Sequence, residues 1–276
     1  MIIGSICHSS VFFSVNLANI KKISCKIVSF FSLDIIYYFY GLYLFHFKVF
    51  FSKTVTPMKN LNFQKLLENN HLWIQEKLNE DSDYFEKLSK GQSPRYLMIG
   101  CSDSRVPITS LIKAEAGEVF IHRNIANQVN LNDINLLSVL EYSVEHLHIK
   151  HIVVIGHYNC GGIAAAVDGV NQGLIENWVS PVNELYYKHK EELSLIEDNH
   201  TMCDRLSEIN VIEQAINIIK TPILKRAFKS GEFPKIHAWI FDIYTGKIVQ
   251  QDLKENSLIE NGLLPKNYFE IVNSEN

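Results

Sequence analysis

The sequence predicts an α/β fold: a mostly parallel central sheet flanked by helices, with an antiparallel edge strand and an N-terminal helical arm. Three observations predict it. Two short apolar runs, at residues 96–99 and 151–155, each end in a glycine followed by a metal-capable residue, Gly100-Cys101 and Gly156-His157. Continuous apolar runs bounded by glycine mark strands buried on both faces. A stretch of helical periodicity lies between them, and strands alternating with helices imply right-handed crossovers and parallel pairing. Toward the C-terminus, two strand-like segments flank a turn at Tyr244, Thr245 and Gly246, the pattern of an antiparallel edge.

Taken in order, residues 1–57 stand apart from the rest. They are crowded with Ile, Phe, Tyr and Ser, and Asp34 is their one acidic group. Residues 27–51 are long enough to cross a bilayer, yet Asp34 and Lys48 lie within them. Three readings stay open: an upstream extension of the reading frame before a natural start at Met58, a membrane anchor or uncleaved signal, and a transit peptide, which the lack of Arg disfavours. Residues 58–276 read as one domain, with no internal repeat or low-complexity linker. Phe63, Leu66, Leu67, Trp73, Ile74 and Leu78 recur at helical spacing, which predicts an amphipathic helix to about Asn79. Pro94 precedes the first strand, and residues 118–122 read as another. Residues 133–147 read as a helix with Ile134, Leu137, Leu140, Val144 and Leu147 on one stripe and Asn132 or Asp133 as cap. Residues 174–193 and 205–230 read as mainly helical, and residues 235–241 and 248–253 as the last two strands.

Composition bounds the function. With 47% hydrophobic and 20% charged residues the chain is an ordinary globular protein. A formal charge of −4 without a long basic run argues against nucleic acid and leaves a small-molecule partner. Five cysteines, an odd and sparse set, do not form a secreted disulfide framework. Reduced thiols in the cytoplasm fit better, with membrane attachment as the alternative if residues 1–57 are retained.

Cys101 and His157 each sit one residue past a strand-ending glycine, so both emerge at the carboxyl edge of the sheet, where ligands collect. Cys160 follows within one turn, and Gly161 and Gly162 permit tight backbone there. Two thiolates and one imidazole suit Zn2+ in a catalytic role, with a coordination position left for water. On its own the His-x-x-Cys spacing also fits a satisfied strand-end histidine and an inert buried cysteine. A thiol redox protein would need a Cys-x-x-Cys pair, and there is none.

The longer strings CSDSRV (101–106) and GHYNCGG (156–162) resemble the β-class carbonic anhydrase family. The likeness continues through EVFIHRNIAN (118–127), EYSVEHL (141–147) and, more loosely, IHAWIFDIYTG (236–246); it excludes residues 1–57. The resemblance implies a zinc lyase that reversibly hydrates carbon dioxide to bicarbonate and a proton by zinc-bound hydroxide. It makes Cys101, His157 and Cys160 the metal ligands, and Asp103 and Arg105 a catalytic dyad. An ionised Asp103 can only accept a hydrogen bond, and Arg105 can hold it ionised and aimed. The same likeness assigns Gln92, Phe120, Ile125, Tyr142 and the backbone N–H of Gly161 to substrate. It implies a homodimer or homotetramer in which a partner supplies part of the apolar wall. In a subset of the family the matching aspartate closes onto zinc, favoured by a Trp–Arg–Tyr bicarbonate pocket. Arg123 matches that arginine, but Met98 and Phe241 replace the other two, so bicarbonate-driven closure is expected to be weak or absent. His122, His146, His148 and His237 read as surface or strand-end groups.

Overall fold

The computed structural model describes residues 62–169 and 173–274. The three readings of residues 1–57 therefore lie outside the described residues. The chain divides into two compact units, Met1–Glu80 and Asp81–Asn276. In the first, α1 (Phe63–Glu80) is the amphipathic helix that the spacing predicts, and none of its residues is buried.

The second unit opens with the short helix α2 (Tyr84–Ser89) and enters β1 (Tyr96–Cys101). After α3 (Ile108–Leu111) come β2 (Val119–Asn124), α4 (Ile134–Glu141), β3 (His151–His157) and α5 (Gly161–Asp168). Helices α6 (Leu174–Lys188), α7 (Lys190–Leu193), α8 (Asn199–Lys220) and α9 (Pro222–Ser230) follow. The chain then returns through β4 (Lys235–Asp242) and β5 (Lys247–Gln251) to α10 (Glu255–Glu260) and α11 (Tyr268–Ser274).

The five strands lie in the order β2-β1-β3-β4-β5. The first four are parallel, and β5 pairs antiparallel with β4 around the expected turn. On one face Leu97, Ile99, Ile152, Val154, Ile236, Ala238 and Ile240 pack into the main core with side chains of α4, α8, α9 and α11. On the other, Met98, Val153, Ile155 and Phe241 pack with Val106 and Ile108. The alternation follows from strand geometry, since successive side chains point to opposite faces.

Several boundaries differ from the sequence reading, each for a local reason. The helix expected over residues 133–147 is α-helical to Glu141 and then widens into a π turn, Tyr142–His146, closed by Leu147 N–H donating to Tyr142 O at 3.0 Å. Its cap is Asp133, whose carboxylate accepts from the N–H groups of Asn135 and Leu136. The run expected over 205–230 begins at Asn199, capped by Asp198, and breaks at Thr221. Pro222 has no N–H to continue α8, so Thr221 turns extended and caps α9 by accepting from Leu224 N at 3.2 Å. The run over 174–193 is interrupted at His189. His122 and His237, expected at the surface or strand ends, lie inside strands instead, His122 buried in β2 and His237 half-buried in β4. Among the described residues no helix is long and apolar enough to cross a membrane.

Candidate metal centre

β1 and β3 are adjacent and parallel, with Gly100 level with Ile155, so their carboxyl ends bring Cys101 and His157 together. After His157 the chain turns sharply through Asn159, whose φ of 55° is left-handed. That turn delivers Cys160 as the residue before α5. The Asn159 N–H is tied down by Asp204 of α8, whose Oδ1 accepts it at 2.7 Å. The next link is Tyr158, whose hydroxyl donates to Glu208 one helical turn further on. The ligand segment is thus stapled to α8 at two successive residues.

The ligand atoms of Cys101, His157 and Cys160 all lie within 4.8 Å of one another, and all three residues are buried. The two sulfurs are 3.9 Å apart. Two thiolates on a tetrahedral zinc, at about 2.3 Å each, would sit about 3.8 Å apart. His157 Nδ1 donates to its neighbour's carbonyl, Tyr158 O, at 2.9 Å, which leaves Nε2 as the free lone pair. That Nε2 is buried and has no hydrogen-bond partner. An orphaned acceptor of this kind is costly in a dry interior and is what a metal ligand looks like. The thiols tell the same story. The hydrogen bond from Cys160 holds Cys101 well below the ordinary thiol range, while the same contact and burial push Cys160 up. One proton shared between two buried sulfurs is a conflict that a divalent cation removes, because it favours both thiolates. The residues fit a metal.

Beside this group stands Asp103. Arg105 donates through Nε to Asp103 Oδ1 at 3.0 Å and through Nη2 to Oδ2 at 2.7 Å, a fork on both carboxylate oxygens. The Arg105 backbone N–H adds a third donor to Oδ1 at 2.9 Å. These bonds hold the Asp103 carboxyl far below the usual carboxylate range. Asp103 Oδ2 lies 3.8 Å from His157 Nε2, beyond hydrogen-bond length, so the carboxylate faces the ligand group without joining the three mutually close residues. Arg105 also donates to Asn159 O at 3.0 Å, linking the loop after β1 to the turn after β3.

The remaining expected residues divide into two sets. Ile125 and Gly161 lie at the carboxyl edge: Ile125 follows Asn124, which pairs with Cys101, and Gly161 follows Cys160. Ile125 also lines a 640 Å³ pocket with Ser102, Leu174 and Trp178. Gln92, Phe120 and Tyr142 lie elsewhere. Gln92 is exposed in the loop before β1, in a cleft with Tyr84, Lys87 and Gly117. Phe120 pairs with Leu97, four positions from the Cys101 level, and its ring lies 6.0 Å from that of Tyr142. Arg123 does not stand free for an anion. Its Nε donates to Cys101 O at 2.8 Å, its Nη2 reaches the same oxygen, and Nη2 also donates to Asp103 O at 2.8 Å. Met98 and Phe241 are buried core. The sequence reading missed Asp204, Glu208 and Trp178; starting the helix at 205 left Asp204 outside it and hid that Asp204 and Glu208 are one turn apart on α8.

The carbonic anhydrase family profile matches residues 96–248. A carbonic anhydrase of Emericella nidulans is 44% identical over 194 residues, covering 70% of this chain and 85% of that protein. A crystal structure of a tetrameric β-carbonic anhydrase of Sordaria macrospora aligns with a TM-score of 0.65 at 39% identity, covering 68% of this chain and 95% of that one. The β-carbonic anhydrase CafA of Aspergillus fumigatus aligns at 0.68 with 33% identity, covering 73% of this chain and 96% of the other. With the profile spanning more than half the chain, Cys101, His157 and Cys160 included, and relatives of this identity and coverage beside it, this chain belongs to the carbonic anhydrase family, in its β class.

Proposed function

We propose that this chain catalyses the reversible hydration of carbon dioxide to bicarbonate and a proton, with zinc held by Cys101, His157 and Cys160. One observation carries the site assignment: three buried ligand atoms converge beside a carboxylate that Arg105 grips on both oxygens. Zinc, when bound, lowers the pKa of water toward neutrality and so supplies hydroxide at physiological pH. Two thiolates and an imidazole suit that ion, and three protein ligands suit a catalytic role.

The chain's own residues supply the rest. An ionised carboxylate can only accept a hydrogen bond, so Asp103 would accept one from the nucleophile and leave that atom's lone pair aimed at the carbon of the substrate. Arg105 keeps Asp103 charged and aimed, and its bond to Asn159 O fixes that aim relative to Cys160. Arg123 braces the backbone of Cys101 and Asp103 from behind. Ile125 offers apolar surface for a non-polar substrate, and the free space beside Gly161 lets it approach. Gln92, Phe120 and Tyr142 complete the substrate wall from a second copy of the chain, in a homodimer or homotetramer. Bicarbonate-driven closure is weak, since Arg123 is already engaged. A reducing compartment such as the cytoplasm suits the free thiols at Cys101, Cys160 and Cys203.

The test is stopped-flow carbon dioxide hydration with zinc analysis on wild type and Asp103→Ala. Wild type should carry about one zinc per chain, and the variant should keep its zinc and lose at least about a hundredfold in rate. A variant that keeps both zinc and rate would remove Asp103 from the mechanism.

A further inference from the structure

Next to the ligand group the backbone adopts an unfavourable conformation. Ala126 (φ 59°) and Asn127 (φ 46°) are consecutive non-glycine residues in left-handed backbone. This turn is wedged between the two ligand-bearing segments. A Cβ added at Gly156, just before His157, would lie 3.4 Å from Asn127 Oδ1. One added at Gly162, two residues after Cys160, would lie 2.8 Å from Ile125 Cγ2 and 3.1 Å from Ala126 Cβ.

What holds the turn is a buried set of side-chain amides, Asn210 and Gln214 on α8 and Gln128 directly after the turn. Ala126 O accepts from Asn210 Nδ2 at 3.1 Å and from Gln128 Nε2 at 2.8 Å. Gln128 Nε2 also donates to Asn210 Oδ1 at 2.9 Å, as does Gln214 Nε2 at 3.0 Å. Gln214 Oε1 in turn accepts from Val129 N at 2.8 Å. Asn210, Gln128 and Gln214 are all buried. Two costs accompany this arrangement besides the strain: Asn127 Nδ2 and Gln128 Oε1 are buried without a hydrogen-bond partner. A cluster present for stability alone would not combine left-handed backbone with unpartnered amides; such violations gather where position matters.

We propose that Asn210 and Gln128 are positioning residues for the metal-binding group, holding the strained turn as a spacer that sets the separation of the His157 and Cys160 segments. This rests on the reading of Cys101, His157 and Cys160 as metal ligands. The test compares Asn210→Ala with Ile218→Ala, a core truncation on the same helix. The readouts are zinc affinity by chelator competition, the thiolate-to-metal and d–d bands of the cobalt-substituted protein, and melting temperature. Asn210→Ala should weaken zinc about tenfold and shift the cobalt bands. Ile218→Ala should lower the melting temperature and leave affinity and bands unchanged. Should Asn210→Ala fail to fold, Gln128→Met keeps the volume and the Asn210–Ala126 bond and is read by the same criteria. Equal effects from both positions, or unchanged affinity and bands in Asn210→Ala, overturn the proposal. Wild type that takes up no zinc overturns the metal reading itself.

Discussion

Adjacent glycines at the start of α5 make opposite demands on the backbone around them. A methyl at Gly162 would press on Ile125 Cγ2 and Ala126 Cβ, whereas one at Gly161 meets nothing within 4 Å. Gly162→Ala should therefore cost about 1–3 kcal/mol by overpacking a turn that cannot yield. Gly161→Ala should fold with wild-type stability and lose activity, because the new methyl occupies the space proposed for substrate. Thermal melts and hydration rates on the two variants check this; equal melting temperatures would show that the Ile125 turn gives way. At this scale much was legible in the sequence. Cys101, Asp103 and Arg105 lie within five residues, as do His157 and Cys160, so their proximity follows from local spacing and two parallel strands. Arg123 was not legible in the same way. Its engagement with Cys101 O and Asp103 O depends on the register that sets Arg123 beside Gly100, and no local string encodes register.

Among the elements, strands β1 and β3 were readable because burial on both faces makes them continuous apolar runs. The break between α8 and α9 was masked by a helical pattern that runs through Thr221, although Pro222 carries the signal. Helix α5 went unassigned because Gly161 and Gly162 read as turn, while the Ala-rich stretch behind them favours helix. The β3–β4 pair holds a further consequence. His237 sits beside Val153 in register, and its Nε2 lies 3.1 Å from His151 Nδ1. Burial, then the nearby His151 and Lys235, push His237 down to about 4. A histidine with a depressed folded pKa contributes its full share of stability above its unfolded value, near 6.5. That share is lost as pH falls from there toward 4, because the unfolded chain binds the proton first. The loss amounts to about 3 kcal/mol at most. Melting temperatures measured from pH 7 to 4 should fall more steeply for wild type than for His237→Gln. Parallel curves would show that this ring titrates alike in the folded and unfolded chain.

The whole molecule places the proposed metal ligands on one edge of the sheet and part of the expected substrate wall away from it. Cys101 pairs with Asn124 at the carboxyl ends of their strands, while Phe120 lies four positions back, about 13 Å along the strand at roughly 3.3 Å per residue. Gln92 precedes β1 altogether, and Tyr142, close to the Phe120 ring, is 46% exposed. If these residues face substrate, they do so at the metal group of another subunit, and each working site draws on two chains. Subunit mixing separates this from a self-contained site. Gln92→Ala and Asp103→Ala each should slow hydration when present in every chain. In a mixed dimer with composite sites, both lesions fall in one site and the other is intact, so activity should recover to about half that of wild type. With sites contained in single chains, every site in the mixed dimer carries one lesion and the rate stays low. Co-expression of the two variants under different tags, followed by purification of the doubly tagged species, gives that answer directly; a rate no higher than the average of the two homomeric variants would return Gln92 to the role of a solvated loop amide.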